Sequence, residues 1–150
     1  MTSERAGKEY FIDTSALLKA YIAEKGTDAL DRIFEEDAVR SISSMGLLEV
    51  VSVFQRLHSV EKSLSEDQFK ALCARLLADV ASGRLVVMSV TPQDVRAALT
   101  LETHQYLTAV DAVQIALARE IGDDIVFVSS DEKLNQVARE NGLRVFDPAE

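Results

Sequence analysis

Segments with the spacing of strands and segments with the spacing of helices alternate along the chain, and this alternation restricts the fold more than any other feature. Strands are expected at residues 10–12, 38–43, 85–89, 124–128 and 144–146. The segments between them carry apolar residues at helical intervals, and Gly83, Gly122 and Gly142 stand where such helices would end. The sequence therefore predicts an α/β fold, with a mainly parallel central sheet of about five strands flanked by helices.

The size and composition of the chain favour one domain. It has 150 residues, of which 47% are hydrophobic, and this is enough for one sizeable core. We expect a single domain over residues 1–150, in which the polar residues 1–7 form a flexible N-terminus. That N-terminus is too polar for a signal peptide, and no run of about 18 apolar residues lacks a charge. These features predict a cytoplasmic protein without a membrane segment.

The region from residue 44 to residue 82 predicts two consecutive helices that form a hairpin. The polar residues 60–65 interrupt the helical spacing, and Ser65 marks a new helix start. Cys73 is the only cysteine of the chain and lies on the apolar stripe of the second helix. It is therefore expected to be a core residue in a reducing compartment.

The net charge of the chain is −9, from 16 Lys and Arg residues and 25 Asp and Glu residues. A protein of this charge repels nucleic acids and anionic membranes in non-specific encounters. A nucleic-acid substrate would therefore have to bind at a local site.

Four acidic residues that are far apart in the sequence are predicted to meet at one edge of the sheet. Asp13 and Asp131 follow strand-like runs, whereas Glu49 and Asp111 lie in the opening turns of helices. In a parallel strand-helix-strand unit, the helix start shares an edge with the carboxyl ends of the strands, and ligands bind at that edge. We call these four residues the acidic rim. Because grouped carboxylates repel each other, the rim predicts a bound Mg²⁺ or Mn²⁺.

A simpler interpretation is open for each of these acids. A carboxylate in the first turn of a helix is stabilised by about 0.3–1 kcal/mol, so that capping alone could explain Asp111 or Asp131. Glu49 could lie on the solvent-exposed flank of its helix. Four such coincidences at one edge are much less frequent than one, and their combination favours a functional site.

Two capping patterns mark helix starts near the same edge. They are Thr91-x-x-Asp94 and Ser129-x-x-Glu132, in which a hydroxyl residue precedes an acid by three positions. Asp94 opens a helix after a strand, as an acid of the rim would, but it lies outside the motifs that carry the rim. It is the natural comparison for Asp111.

Several segments carry the acids in an order and spacing typical of a known family. They are residues 13–19 (DTSALLK), the helical Glu49, residues 111–116 (DAVQIA), residues 127–134 (FVSSDEKL) and residues 141–148 (NGLRVFDP). Together they resemble a PIN domain, and the chain is most similar to the VapC-like toxin ribonucleases of type II toxin–antitoxin systems. The resemblance spans almost the whole chain.

The resemblance implies a PIN-like nuclease that cleaves RNA endonucleolytically with Mg²⁺ or Mn²⁺, forms a homodimer and is inhibited by a small antitoxin. The catalytic acids of the family correspond to Asp13, Glu49, Asp111 and Asp131, and its small hydroxyl residue corresponds to Ser129, which is expected to orient acids or water. From ligand chemistry we expect Asp13 and Asp111 to be the principal metal ligands. Glu49 and Asp131 would act through water or on a second ion.

Two other classes of function stay open. An α/β metal-dependent phosphohydrolase also uses an Asp at a strand end, but Ser15 stands where haloacid dehalogenase-like enzymes have a second Asp. A non-catalytic acidic PIN-like interaction module would keep the fold and bind a basic partner. Lys19, Arg56 and Lys133 lie close to the motifs in the sequence and are candidates for contact with phosphate groups.

Overall fold

The computed structural model describes residues 7–150, which form a single α/β domain. The strands are β1 (Lys8–Ile12), β2 (Ala38–Ser43), β3 (Val86–Met88), β4 (Val126–Val128) and β5 (Arg144–Phe146). The helices are α1 (Thr14–Leu17), α2 (Thr27–Glu35), α3 (Ser44–Ser59), α4 (Glu66–Ala81), α5 (Pro92–Leu99), α6 (Ala109–Ile121) and α7 (Glu132–Glu140), with a 3-10 turn at Leu18–Ala20. The expected flexible N-terminus, residues 1–7, lies outside the described residues apart from Gly7.

The five strands of this range form one sheet in the order β3-β2-β1-β4-β5, and every neighbouring pair is parallel. The predicted sheet is therefore confirmed, and the strands at residues 38–43 and 144–146 have the expected bounds. β1 lies at the centre, where Phe11 is paired with Ser41 of β2 and with Phe127 of β4. Because parallel strands end at the same edge, the residues that follow β1, β2 and β4 lie side by side.

Two layers of apolar side chains cover the two faces of the sheet. Tyr10 and Ile12 of β1 pack in the layer formed with α1 to α4, whereas Phe11 packs in the layer formed with α6 and α7. The Phe11 ring stacks on the Phe127 ring, with 5.8 Å between their centroids. Since β1 is buried on both faces, its carboxyl end has a well-defined position, and Asp13 follows it directly.

The predicted helical hairpin is confirmed as α3 and α4. Ser65 caps α4, and its hydroxyl and the Gln68 side chain form a reciprocal capping box. Cys73 is partly buried and packs against the layer formed with α1 to α4. Among the helices between residues 7 and 150, none has the length and hydrophobicity that a membrane crossing requires.

Candidate active site

Asp13 lies at the centre of the carboxyl edge of the sheet. Its backbone N–H donates to the Val128 carbonyl of β4 over 2.9 Å, which continues the parallel pairing beyond β1. The residue is 3% exposed. Its Oδ2 atom accepts hydrogen bonds from Ser15 Oγ at 2.6 Å, from Ser129 Oγ at 3.0 Å and from the Ser15 N–H at 3.3 Å. Three donors on one oxygen hold the carboxylate in one orientation.

The electrostatic environment of Asp13 combines two opposing effects. Burial raises the pKa of the Asp13 carboxyl group, because removal from water disfavours its charged form. The hydrogen bonds from Ser15 and Ser129 lower this pKa, since they favour the charged form, but the net shift is upward. A cation beside this carboxylate would replace the solvation that burial removes.

Ser129 connects Asp13 to Asp131. It is fully buried, and its Oγ atom donates to Asp13 and accepts a hydrogen bond from the Asp131 N–H at 3.1 Å. Its carbonyl group accepts a hydrogen bond from Asn135 Nδ2 at 2.8 Å. One hydroxyl group thus fixes the loop after β4 relative to the end of β1.

Asp131 is exposed and is the N-cap of α7. Its Oδ1 atom accepts a hydrogen bond from the Leu134 N–H at 3.2 Å. The predicted capping pattern Ser129-x-x-Glu132 is wrong, because the Ser129 hydroxyl is engaged by Asp13 and by the Asp131 backbone. The helix therefore begins two residues later than that pattern predicts, at Glu132. Capping uses one carboxylate oxygen of Asp131 and leaves room for a second role.

Glu49 reaches the same edge from α3. This helix begins directly after β2, with Ser43 as its N-cap. Glu49 is partly buried, and its Oε1 atom accepts a hydrogen bond from Thr14 Oγ1 at 3.0 Å. Because Thr14 follows Asp13 directly, Glu49 lies beside the end of β1 and not on a solvent-exposed flank.

Asp111 is the third residue of α6, whose N-cap is Thr108. Partial burial, together with the negative charges of Asp13, Asp131 and Glu49, raises the pKa of Asp111 to about 6. The Thr108 side chain opposes this shift. A carboxyl group whose pKa responds to all three other acids lies within electrostatic range of them. The Thr14–Glu49 hydrogen bond, the Ser129 bridge between Asp13 and Asp131, and these charge effects on Asp111 therefore place the four acids at the same edge of the sheet.

The donor chemistry of the rim fits Mg²⁺ or Mn²⁺. All four side chains offer hard carboxylate oxygens, which these ions prefer. Among residues 7–150, no three His, Cys, Asp or Glu side chains stand close enough to bind one ion together. Mg²⁺ does not need three, because it is usually bound by one or two carboxylates and keeps several waters.

Two hydroxyl side chains shape the rim and a third polar side chain is buried one helical turn after Asp111, although the sequence analysis assigned none of them a role there. Ser15 donates to Asp13, Thr14 donates to Glu49, and Gln114 is fully buried on α6. For the hydroxyl residues the available signal was their position directly after Asp13. For Gln114 it was a polar residue among apolar ones, one helical turn after Asp111.

Two of the three candidate phosphate contacts are engaged elsewhere. Lys19 is 7% exposed and its Nζ atom lies 3.1 Å from Glu24 Oε1. Arg56 Nε lies 3.3 Å from Glu61 Oε1. Lys133 is exposed in the first turn of α7, two residues after Asp131, and is the candidate best placed to meet a phosphate group.

Comparison with known proteins supplies a family for this arrangement. The sequence profile of the PIN domain family matches residues 10–140, a range that contains all four acids of the rim and Ser129. No curated protein matches the sequence.

Solved structures share the fold over nearly their full length. A chain of FitAB bound to a DNA fragment has a TM-score of 0.68 and 16% identity, over 94% of this chain and 96% of that one. A toxin–antitoxin complex from Klebsiella pneumoniae has a TM-score of 0.64 and 14% identity, over 94% and 98%. VapC20 from Mycobacterium tuberculosis, a toxin that cleaves the sarcin-ricin loop, has a TM-score of 0.63 and 21% identity, over 85% and 93%. At these identities the similarity is one of fold.

Proposed function

The chain belongs to the PIN domain family, and we propose that it is a Mg²⁺- or Mn²⁺-dependent endoribonuclease that acts as the toxin of a toxin–antitoxin pair. The observation that supports this proposal best is the placement of Asp13, Glu49, Asp111 and Asp131 at the carboxyl edge of the sheet, where α/β folds bind ligands. The fold shared with VapC20, a toxin that cleaves the sarcin-ricin loop, supports RNA as the substrate.

In this proposal Asp13 and Asp111 are the principal metal ligands. Asp13 is the better fixed of the two, since one of its oxygens accepts three hydrogen bonds. Glu49 and Asp131 act through water or on a second ion. A bound Mg²⁺ or Mn²⁺ would supply a more acidic water as the nucleophile and would offset the negative charge of the phosphodiester.

Hydroxyl side chains beside the acids hold the reacting groups in position. Ser15 and Ser129 hold the Asp13 carboxylate, and Thr14 holds Glu49 beside it. A carboxylate at the position of Glu49 or Asp131 is suited to accept the proton of the attacking water. Pre-positioning of this kind lowers the barrier of a displacement at phosphorus, because the groups need not be ordered during the reaction.

The partners that we propose are a small antitoxin and a second copy of the chain. The fold shared with a toxin–antitoxin complex from Klebsiella pneumoniae supports the antitoxin. The net charge of −9 favours a basic antitoxin segment that folds on binding. An enzyme of this kind would act in the cytoplasm, where its RNA substrate and its antitoxin are present.

An RNA cleavage assay tests the activity. Purified protein, freed of any partner, is incubated with single-stranded and hairpin RNA in Mg²⁺, in Mn²⁺ and in excess EDTA. We expect internal cleavage with either metal, no cleavage in EDTA and no cleavage by Asp13→Asn. Full activity in EDTA would refute the metal-dependent mechanism. Release of inorganic phosphate from a monoester, with intact RNA, would support a phosphohydrolase instead.

An expression experiment tests the toxin assignment. Production of the wild-type protein should arrest cell growth, Asp13→Asn should not, and co-expression of a short gene adjacent to the reading frame should relieve the arrest. Harmless expression of folded wild-type protein would favour a non-catalytic interaction module.

A further inference from the structure

Gln114 is a buried polar residue without a visible structural role. It lies on α6, three residues after Asp111, and is 0% exposed. Neither Nε2 nor Oε1 has a hydrogen-bond partner among the residues that the structure describes. A buried amide that makes no hydrogen bond is unfavourable for folding, and its presence calls for an explanation outside packing.

The surroundings of Gln114 point toward Asp13. Gln114 lies one helical turn after Asp111 on the same face of α6, and its side chain also favours the charged form of Asp13, whose pKa it lowers without forming a hydrogen bond. The two oxygens of Asp13 differ in a matching way. Oδ2 accepts three hydrogen bonds, while Oδ1 accepts none from the described residues.

Asn135 provides a contrast within the same site. It is also a buried amide, 3% exposed, and its Oδ1 atom has no hydrogen-bond partner among the described residues. Its Nδ2 atom, however, donates to the Ser129 carbonyl at 2.8 Å, so that the Asn135 side chain fastens the loop after β4. Gln114 has no such bond and occupies the face of α6 that carries Asp111.

We propose that Gln114 is a positioning residue for the acidic rim: its Nε2 group is the donor to Asp13 Oδ1 and fixes this oxygen when Asp13 and Asp111 close on a divalent ion. The proposal rests on the proposed function, because it assumes that these two acids bind the ion. The hydrogen bond would couple α6 to the end of β1, so that the helix carrying Asp111 and the strand carrying Asp13 move together.

The substitution Gln114→Met tests this role, since methionine keeps the length and volume of the side chain and removes both polar atoms. Without metal, the melting temperature should equal or exceed that of wild type, because an unpaired buried amide is replaced by an apolar group. The Mg²⁺ affinity, measured by calorimetry, should fall about 10-fold or more, as it does when partners of metal-binding side chains are removed. The kcat for RNA cleavage should fall about 10- to 100-fold, with KM for RNA little changed.

Two further variants serve as controls for this test. Ile115→Met places a methionine at the next buried position of α6 and should leave Mg²⁺ affinity and kcat unchanged. Gln114→His restores an N–H donor on a side chain of similar reach and should recover most of the Mg²⁺ affinity that Gln114→Met loses. The side-chain NH₂ signal of Gln114 in the ¹⁵N–¹H spectrum of the wild type should shift on addition of Mg²⁺.

Several results would overturn the proposal. Wild-type Mg²⁺ affinity and kcat in Gln114→Met would make Gln114 a passive core residue. Equal losses in Ile115→Met would reduce the effect to general repacking, and so would a metal-free melting temperature that falls below that of both controls. If the wild type binds Mg²⁺ but does not cleave RNA, the proposed activity fails while the Mg²⁺ affinities still test Gln114. If the wild type does not bind Mg²⁺, both proposals fail.

Discussion

The starts of α5 and α6 have the same local sequence pattern and opposite electrostatic behaviour. Both begin with a Thr N-cap followed three residues later by an Asp, Thr91 and Asp94 in α5, and Thr108 and Asp111 in α6. In α5, Asp94 Oδ2 accepts hydrogen bonds from the Thr91 N–H at 2.6 Å and from Thr91 Oγ1 at 2.8 Å. In α6, Thr108 accepts a hydrogen bond from the Asp111 N–H, but no reciprocal capping box forms.

The pKa shifts of the two carboxyl groups follow this difference. The Thr91 N–H and hydroxyl hold the pKa of Asp94 below its usual value, because both donate to the charged form. Burial and the charges of Asp13, Asp131 and Glu49 raise the pKa of Asp111 to about 6. One local pattern therefore produces a hydrogen-bonded cap in α5 and a repelled carboxylate in α6. The tertiary position of the helix, and not the pattern, decides whether its acid serves stability or chemistry.

The rate of RNA cleavage should show the largest difference between substitutions at the two helix starts. Asp111→Asn should lower the cleavage rate about 1000-fold, because charge stabilisation by a bound ion contributes several kcal/mol and each 1.4 kcal/mol is about tenfold. Asp94→Asn should leave the rate near that of wild type, since Asp94 lies outside the acidic rim. Rates are measured with saturating Mg²⁺ on proteins of verified fold. Equal losses in the two variants would mean that the site has been placed wrongly.

The difference between these helices marks the limit of what the sequence predicts. The sheet could be predicted because strands buried on both faces are short continuous apolar runs, as at residues 10–12 and 126–128, and parallel topology then places their ends at one edge. The choice between Asp94 and Asp111 could not be made from the Thr-x-x-Asp pattern alone. It depends on α6 packing against α3 and β2, whereas α5 packs against α6.

Hydrogen-bond partners were the other part that the sequence left undetermined. Ser129 was expected near the acids, but helical capping was also assigned to it, and only its position between Asp13 and the Asp131 N–H excludes that second role. The burial of Gln114 is another feature that the sequence left undetermined. Periodicity identifies the buried face of a helix, but it does not tell which polar residue on that face meets a functional group.

Stabilisation by Mg²⁺ should distinguish the Asp94 and Asp111 variants almost as clearly as RNA cleavage does. At a Mg²⁺ concentration of about 100 times its Kd, the wild type should gain about 2.7 kcal/mol in free energy of unfolding. Asp94→Asn should gain the same amount, and Asp111→Asn should gain much less because it lacks one principal ligand. Thermal melts with Mg²⁺ and with EDTA measure the effect. A full metal response in Asp111→Asn would remove Asp111 from the site.

Without metal, a substitution at the start of α5 should lower stability more than one at the start of α6, which is the reverse of the order expected for cleavage. Asp94→Ala should lower the free energy of unfolding by about 1 kcal/mol, because the Thr91 N–H and hydroxyl lose their acceptor. Asp111→Ala should cost less or should stabilise, since it removes a carboxylate that three other acids repel. Urea denaturation in EDTA at pH 7 makes the comparison. A larger loss in Asp111→Ala than in Asp94→Ala would show that Asp111 is mainly a structural cap.

The smallest effect concerns pH, and it should have opposite signs at the two helices. The folded-state pKa of Asp111 is about 6, above its ordinary value of 3.8, so the wild type should lose stability relative to Asp111→Asn as pH rises from about 4 to 6. Asp111 is partly exposed, and solvent screening should keep the loss below about 1 kcal/mol. The folded-state pKa of Asp94 is lowered, so its contribution should be present above pH 4 and lost at lower pH.

Urea denaturation in EDTA at a series of pH values from 3 to 7 measures both trends, each as a difference between the wild type and one variant. Taking the difference removes the titration of every group that the variant leaves unchanged. The wild type minus Asp111→Asn curve should fall between pH 4 and 6, and the wild type minus Asp94→Asn curve should rise from pH 3 and then stay level. A flat first curve would mean that neither burial nor the other three acids raise the pKa of Asp111, and the electrostatic distinction between α5 and α6 would be lost.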